Sequence, residues 1–423
     1  MENRNSIAGR NAHWLWPDRA NLRRANRYVL PALLLGYPVL GSINSLAAVI
    51  LMLTGLLILV FLRPKQEFSR EAILVAGAMA AFFCAEALSA IVNWRGISSL
   101  REILENLTFL GFLPFVALIT RGRHSLLAAL ASFAPIAAMP GFALAGWQVW
   151  AMDIRAQGMA GNAAIFAVSM SVVYAFTLVS VMRRNSFLPR FTNFLGAACA
   201  AGAIILSGTR SLWPVIIVFP LIFAMLPGGT MLRGARQGLT AGIAVAVVSV
   251  AILLAGPGKQ RIEEIFTDIS AAGNDQMMTS LGKRIVVWKT AIATIPERPI
   301  LGFGPDSPQI IMAERSAAHG GTVVAFSHFH NFILTEMVRA GLTGTLCIFA
   351  ILLAPLIALR HAGKDETAAL AGRALTSALV AFVMSGSTNI LFDHDIMDSL
   401  FVVVIATLVV LAVPREAIGR RVT

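Results

Sequence analysis

The chain reads as a series of apolar runs broken by short polar connections. A helix needs about 20 apolar residues to cross a bilayer. On that measure the pattern predicts twelve spans, at roughly 28–42, 45–62, 71–92, 104–120, 125–145, 161–182, 191–208, 211–227, 237–255, 329–358, 374–391 and 397–413. The first is short and carries Pro31 and Pro38, so it is the span most prone to merge with its neighbour. The residues before it are polar and basic, without the layout of a cleavable signal peptide, and the first span is expected to persist as an anchor.

One connection breaks the rule of short loops. From Gly256 to about Phe326 the sequence is polar enough to leave the membrane. Within it, Lys283 to Ile295 reads as an amphipathic helix. Pro296 ends it, and the turn-rich segment from Arg298-Pro299 to Gly304-Pro305 follows. A second short helix is expected from Ser307 to Ala317. A loop of this length is usually functional or disordered, and its apolar residues favour a packed lid that carries Arg284 toward His330. The organisation is therefore residues 1–255 with nine spans, 256–327 as one large outer loop, and 328–423 with three spans. No internal repeat or soluble domain is visible.

Composition fixes the class. The 423 residues are 57% hydrophobic and only 13% charged, with mean hydropathy +0.75, whereas charged residues make up about a quarter of a soluble domain. The net charge of +12 does not point to nucleic acid, because the basic residues punctuate apolar runs and do not cluster on a soluble surface. Their placement instead gives orientation. Arg19, Arg23, Arg63, Lys65, Arg121, Arg183, Arg233, Arg360 and Arg415 fall on one side, while the short connections of the other side hold only Arg95, Arg101, Arg155 and Arg210. The positive-inside rule then puts both termini in the cytoplasm. Trp94, Trp147, Trp150 and Trp213 fall near outer ends, as an aromatic belt would. Cys84, Cys199 and Cys347 lie in apolar runs and offer neither a disulfide framework nor metal-ligand spacing.

Chemistry concentrates between Ser327 and Gly344. His330 and Asn331 open the tenth span, and Gly341, eleven positions on, falls on nearly the same face of a continuous helix about three turns deeper. Gly344 extends that face as a surface for close helix packing. On the residues alone, an interfacial histidine over an ordinary glycine face fits equally well. Arg210 is held between two spans, where it either snorkels to headgroups or binds phosphate bidentately. Arg284 is either a solvated charge on the loop helix or a second anion ligand. Glu336 and Arg339 stand three apart and are expected to pair. Glu86, deep in the third span, needs a partner of the same kind. His328 and His330 would point to different sides of a helix, so a His-x-His metal site is disfavoured. Asp393-His394-Asp395 either holds a divalent metal or forms a polar turn with Asp398 capping the last helix. Neither a Gly-x-Ser-x-Gly elbow nor a P-loop is present.

Three motifs stand in one order: Gly208-Thr209-Arg210-Ser211, Arg284 leading to Trp288 and Arg298-Pro299-Ile300-Leu301-Gly302-Phe303-Gly304-Pro305, and His330-Asn331 followed by Gly341 and Gly344. In this the chain resembles the bacterial O-antigen ligase family and its relatives, the O-antigen polymerases and protein O-oligosaccharyltransferases. The resemblance implies an all-α, GT-C-like polytopic glycosyltransferase of the inner membrane, acting at the periplasmic face. The implied donor is undecaprenyl-diphosphate-linked O-antigen polysaccharide, and the implied acceptor a hydroxyl of lipid A-core, with inversion at the anomeric carbon. It implies that His330 is the general base or aligns the acceptor, and that Arg210 and Arg284 hold the diphosphate. Asn331 would orient the imidazole or cap the helix, and neither a metal nor another cofactor is implied. An O-antigen or exopolysaccharide polymerase uses the same donor. A lipid or glycan transporter would explain the spans without chemistry, but the paired halves common in transporters are not seen.

Overall fold

A computed structural model describes residues 19–62, 66–119, 122–183, 190–225, 279–321 and 323–414. Among these residues the fold is all-helical, with no strand. Seven helices are long and apolar enough to cross a membrane: Ser42–Leu62, Arg70–Val92, Arg123–Trp150, Ala163–Met182, Gly341–His361, Glu366–Gly386 and Asp395–Ala412. Three shorter apolar helices, Arg27–Leu40, Arg190–Leu206 and Arg210–Met225, fall where spans were expected. The expected span at 237–255, and the large loop up to residue 278, lie outside the described residues. A total of twelve spans is therefore not established.

In chain order the helices are α1 (Arg19–Leu40), α2 (Ser42–Leu57), α3 (Arg70–Val92), α4 (Ile97–Asn106), α5 (Phe112–Leu118), α6 (Arg123–Trp150), α7 (Ala163–Met182), α8 (Arg190–Leu206) and α9 (Val215–Met225). After the gap come α10 (Ser280–Thr294), α11 (Ser307–Arg315), α12 (Ala317–Gly320), α13 (Phe332–Arg339), α14 (Gly341–Ala358), α15 (Glu366–Gly386) and α16 (Asp395–Ala412). The amphipathic loop helix is α10, and the second short one is α11. The first two spans do not merge: Gly41, at φ +54, separates α1 from α2, and a β-carbon there would lie 2.2 Å from the Met159 carbonyl oxygen.

Side-chain caps fix several starts. Ser69 accepts from Ala72 N, Asn162 from Ala164 N, and Asp365 from Ala368 N, each worth about 1 kcal/mol. In the span expected at 104–120, α4 instead gives way to a 3-10 turn at Leu107–Gly111, and α5 follows. Gly111 and Gly55 let this segment press onto α2, because a β-carbon at either would meet Met52 or the Pro114 carbonyl at 2.3 and 1.9 Å.

Helices α7 and α16 form the centre, with 89% of each span buried in protein, whereas α2 is 28% buried and faces outward. Around them α6 packs on α8, α3 on α14, and α15 on α16. One end of the bundle is tied by an ion pair between Arg123 and Asp365 and by His361 Nδ1 at 3.2 Å from Glu71. At the opposite end, where α3 and α15 finish and α13, α14 and α16 begin, the polar residues converge.

Candidate active site

Local geometry sets His330 apart. Asn331 has extended backbone and caps α13, its Oδ1 accepting from Ile333 N at 3.0 Å and Leu334 N at 3.1 Å. To enter that cap the chain passes through His330 at φ +51, a left-handed conformation uncommon outside glycine. The ring is clasped edge to face by Phe326 and His328, with centroids 4.6 and 4.5 Å away. Its Nδ1 is buried without a hydrogen-bond partner, while the Thr388 carbonyl faces the ring. Burial, with smaller contributions from His328 and Arg284, holds the imidazole's pKa down to about 3. His330 is thus a neutral ring with an unused lone pair. Its neighbour His328, pushed down chiefly by burial, contacts Ser327 Oγ at 2.9 Å and Asn389 Oδ1 at 2.7 Å.

The polar turn Ser387-Thr388-Asn389, just past α15, therefore touches the whole histidine segment, including Asn331 Nδ2 at 3.5 Å from the Ser387 carbonyl. Sequence reasoning passed it over. The signal was there in Ser385-Gly386-Ser387-Thr388-Asn389, a polar run closing an apolar span.

Arg284 lies near the start of α10. Thr279 caps α10, and Val286, Val287 and Ala291 pack it onto Ile311, Met312, Val324, Phe329 and Val338 in a small second core. One turn beyond Arg284, on the same face, Trp288 Nε1 donates to the Phe329 carbonyl at 2.8 Å. This places Arg284 near enough to act electrostatically on both imidazoles. Arg210 sits on a one-turn 3-10 helix packed against α7 and α15, and so shares the scaffold that carries the Ser387–Asn389 turn. Arg155 braces the same motif, its Nε donating to the Ser207 carbonyl at 3.0 Å and its Nη2 to Thr209 Oγ1 at 3.4 Å. Nothing local in the sequence pairs Arg155 with that turn.

The single helix expected at 329–358 is corrected to two. It breaks at Ala340, with Gly341 at φ +64, so Gly341 does not lie beneath His330 on one continuous face. The segment from Arg298 to Gly304 fills the break and satisfies the helix ends. Phe303 N and Gly304 N donate to the carbonyls of Val338 and Arg339 at 2.8 and 2.9 Å; Leu342 N and Thr343 N donate to Pro299 and Ile300 at 2.8 and 3.2 Å. Ser89 Oγ on α3 bonds both Leu301 O and Arg339 O. The contact is backbone to backbone: a β-carbon on Gly302 would lie 2.5 Å from the Arg339 carbonyl oxygen, and one on Gly341 2.4 Å from that of Ile300. Gly344 leaves room for Glu336 Oε1, 2.1 Å from the position of a β-carbon.

Below the break, the expected Glu336–Arg339 ion pair is replaced by longer-range ones. The buried Arg339 pairs with Glu86 at 3.3 Å, Asp393 at 3.1 Å, and Glu102, so Glu86 finds its partner here. Glu336, also buried, lies beside the Glu86 carboxyl instead. A cavity of about 10 Å³, room for roughly one water, lies among Glu86, Glu336, Arg339 and Asp393. Burial raises the pKa of Glu102 and of Asp393, and Arg339 opposes the shift in both. Helix α4 is inside out, with Glu102 and Asn106 buried and Ile97, Leu100 and Leu104 exposed. The two aspartates of Asp393-His394-Asp395 part company: Asp393 turns to Arg339, while Asp395 lies 3.0 Å from His394 Nδ1. His394 caps α16, accepting from Ile396 N; the expected cap, Asp398, is buried further along the helix.

Fold and site together define a polytopic membrane protein with a neutral histidine and an arginine gathered at one end of its bundle. Residues 195–349, a stretch that takes in Arg210, Arg284, His330 and Gly341, match the family described as O-Antigen ligase. The chain is 27% identical over 323 residues to an uncharacterized protein of Haemophilus influenzae, covering 73% of this chain and 78% of that one. It is 23% identical over 264 residues to the O-antigen ligase of Escherichia coli, covering 58% of each chain. The chain is O-antigen ligase-like.

Proposed function

We propose that the protein is an inverting glycosyltransferase of the bacterial inner membrane that joins O-antigen polysaccharide to lipid A-core at the periplasmic face. The observation that carries this reading is the buried, unpartnered Nδ1 of His330 beside Arg284, within a region that matches the ligase family. In the step proposed, an acceptor hydroxyl attacks the anomeric carbon of the donor sugar. A new C–O bond forms, the C–O bond to undecaprenyl diphosphate breaks with its electron pair leaving on the diphosphate, and the hydroxyl proton passes to His330 and then to water. A positioned base contributes about 10²- to 10⁴-fold. Arg210 and Arg284 offset the charge growing on the leaving group, an effect often larger than that of the base. An imidazole at about 3 is a weak base in the free protein. A bound diphosphate beside Arg284 would neutralise part of the field that depresses it, so donor binding would strengthen the base. No metal or nucleotide is assigned a role, since the donor arrives already activated as a diphosphate ester.

Expression in a bacterium lacking its own ligase tests the reading. Restoration of long-chain lipopolysaccharide, abolished by His330→Ala or Arg284→Ala, is the expected result. Restoration only in a polymerase-deficient strain would assign the chain to the polymerases that share its donor.

A further inference from the structure

His328, next to His330, belongs to a row of hydrogen bonds whose direction is determined. Asn389 Oδ1 only accepts, so across their 2.7 Å contact His328 Nε2 carries the proton. A neutral imidazole protonated at Nε2 accepts at Nδ1, so the 2.9 Å bond to Ser327 is donated by the serine hydroxyl. Ser327 has then directed its one hydrogen inward, and the exposed residue offers lone pairs outward. The row ends in an acceptor, and what it suits is a hydroxyl group. It is rigidly held. The intervening Phe329 is fully buried and its carbonyl is fixed by Trp288, and the His328 ring lies 4.5 Å from that of His330. Both rings are anchored on the same turn, His328 on Asn389 and His330 on Thr388.

Resting on the function proposed above, we infer that Ser327, His328 and Asn389 form a hydroxyl-accepting relay that binds the acceptor glycan next to the hydroxyl that attacks. The two substrates call for different chemistry. The donor reacts through a diphosphate, which needs cations such as Arg284, whereas the relay presents neutral acceptor atoms. The hydroxyl that reaches His330 belongs to the acceptor, and a sugar ring carries further hydroxyls beside it, so a ring seated at His330 presents one of them to Ser327. Ser327 is a contact residue, and His328 and Asn389 are positioning residues that hold its hydrogen inward.

The test uses purified full-length protein, with rough lipopolysaccharide from a ligase-deficient strain as acceptor and undecaprenyl-diphosphate-linked O-antigen as donor. Ser327→Ala and His328→Phe, which keeps a ring but removes its bonds, should each raise the acceptor KM about tenfold, the equivalent of one hydrogen bond. The donor KM should stay unchanged in both, and the unfolding midpoint should stay unchanged in Ser327→Ala. Ser327→Thr should restore the acceptor KM, and the double variant should be no worse than either single one, because both substitutions break one row. An active wild type whose acceptor KM is unmoved by these changes, or whose donor KM rises with it, would overturn the relay alone. A wild type that transfers no glycan would overturn the underlying function and the relay with it.

Discussion

Arg339→Met removes the cation that pairs with Glu86, Glu102 and Asp393. Methionine fills much the same space, so the change is chiefly one of charge. Breaking a buried ion pair by removing one partner costs about 3–5 kcal/mol. The carboxyl groups set a ceiling on this loss, since each can escape by taking up a proton. From an ordinary value near 4 that uptake costs roughly 4 kcal/mol at pH 7 and about 1.4 at pH 5. Glu102 and Asp393 are already raised by burial, so their escape costs less. The net deficit should be about 3–5 kcal/mol at pH 7. It should shrink as pH falls, because the folded variant binds protons that the folded wild type does not. Thermal or denaturant unfolding in detergent across pH 5 to 8 measures both features, and Arg339→Met/Glu102→Gln should recover part of the loss. A variant as stable as wild type at pH 7, or one whose deficit widens on acidification, would refute the reasoning.

Other outcomes follow from the same geometry. Gly302→Ala and Gly341→Ala place a β-carbon against backbone carbonyls at positive φ. Each should lower the unfolding midpoint by more than Gly96→Ala, which has positive φ but open space and should cost only about 1–2 kcal/mol. Asn331→Ala should lose about 1 kcal/mol of stability and Asn331→Asp much less, as read by the same unfolding measurement, because the aspartate still caps α13. With His330 held down to about 3, the base form persists to lower pH. At pH 5 the ring is about 1% protonated, against about 97% for an ordinary histidine. The profile of kcat/KM for the donor should therefore show no acid limb near 6.5; such a limb, lost in His330→Gln, would contradict the assignment.

The sequence shows many of the helices because apolar length is a local property: α3, α6, α7 and α10 begin and end close to where the apolar runs and Pro296 put them. His330, Asn331 and Arg284 are grouped by the family resemblance of their motifs, since spacing alone left a bland reading open for each. What stayed hidden depends on contacts across the chain. The break at Gly341 looks like an ordinary glycine in an apolar run until Pro299–Gly304 is laid against it, a pairing forty residues long that no periodicity records. Glu336 and Arg339 satisfy the spacing rule for a pair, yet α3, α4 and the turn before α16 bring stronger partners to Arg339. The inside-out face of α4 has the same cause: Glu102 and Asn106 are buried because Arg339 is there.

The proposed function stands on one step, transfer of glycan from a lipid diphosphate to lipid A-core with His330 at the reacting hydroxyl. Purified protein incubated with undecaprenyl-diphosphate-linked O-antigen and rough lipopolysaccharide, without nucleotide and with chelator present, tests it most directly. The expected products are glycan-bearing lipopolysaccharide and free undecaprenyl diphosphate in equal amounts, with both abolished by His330→Ala in a folded variant. Equal transfer by that variant, or release of the lipid diphosphate without glycan reaching lipid A-core, would contradict it.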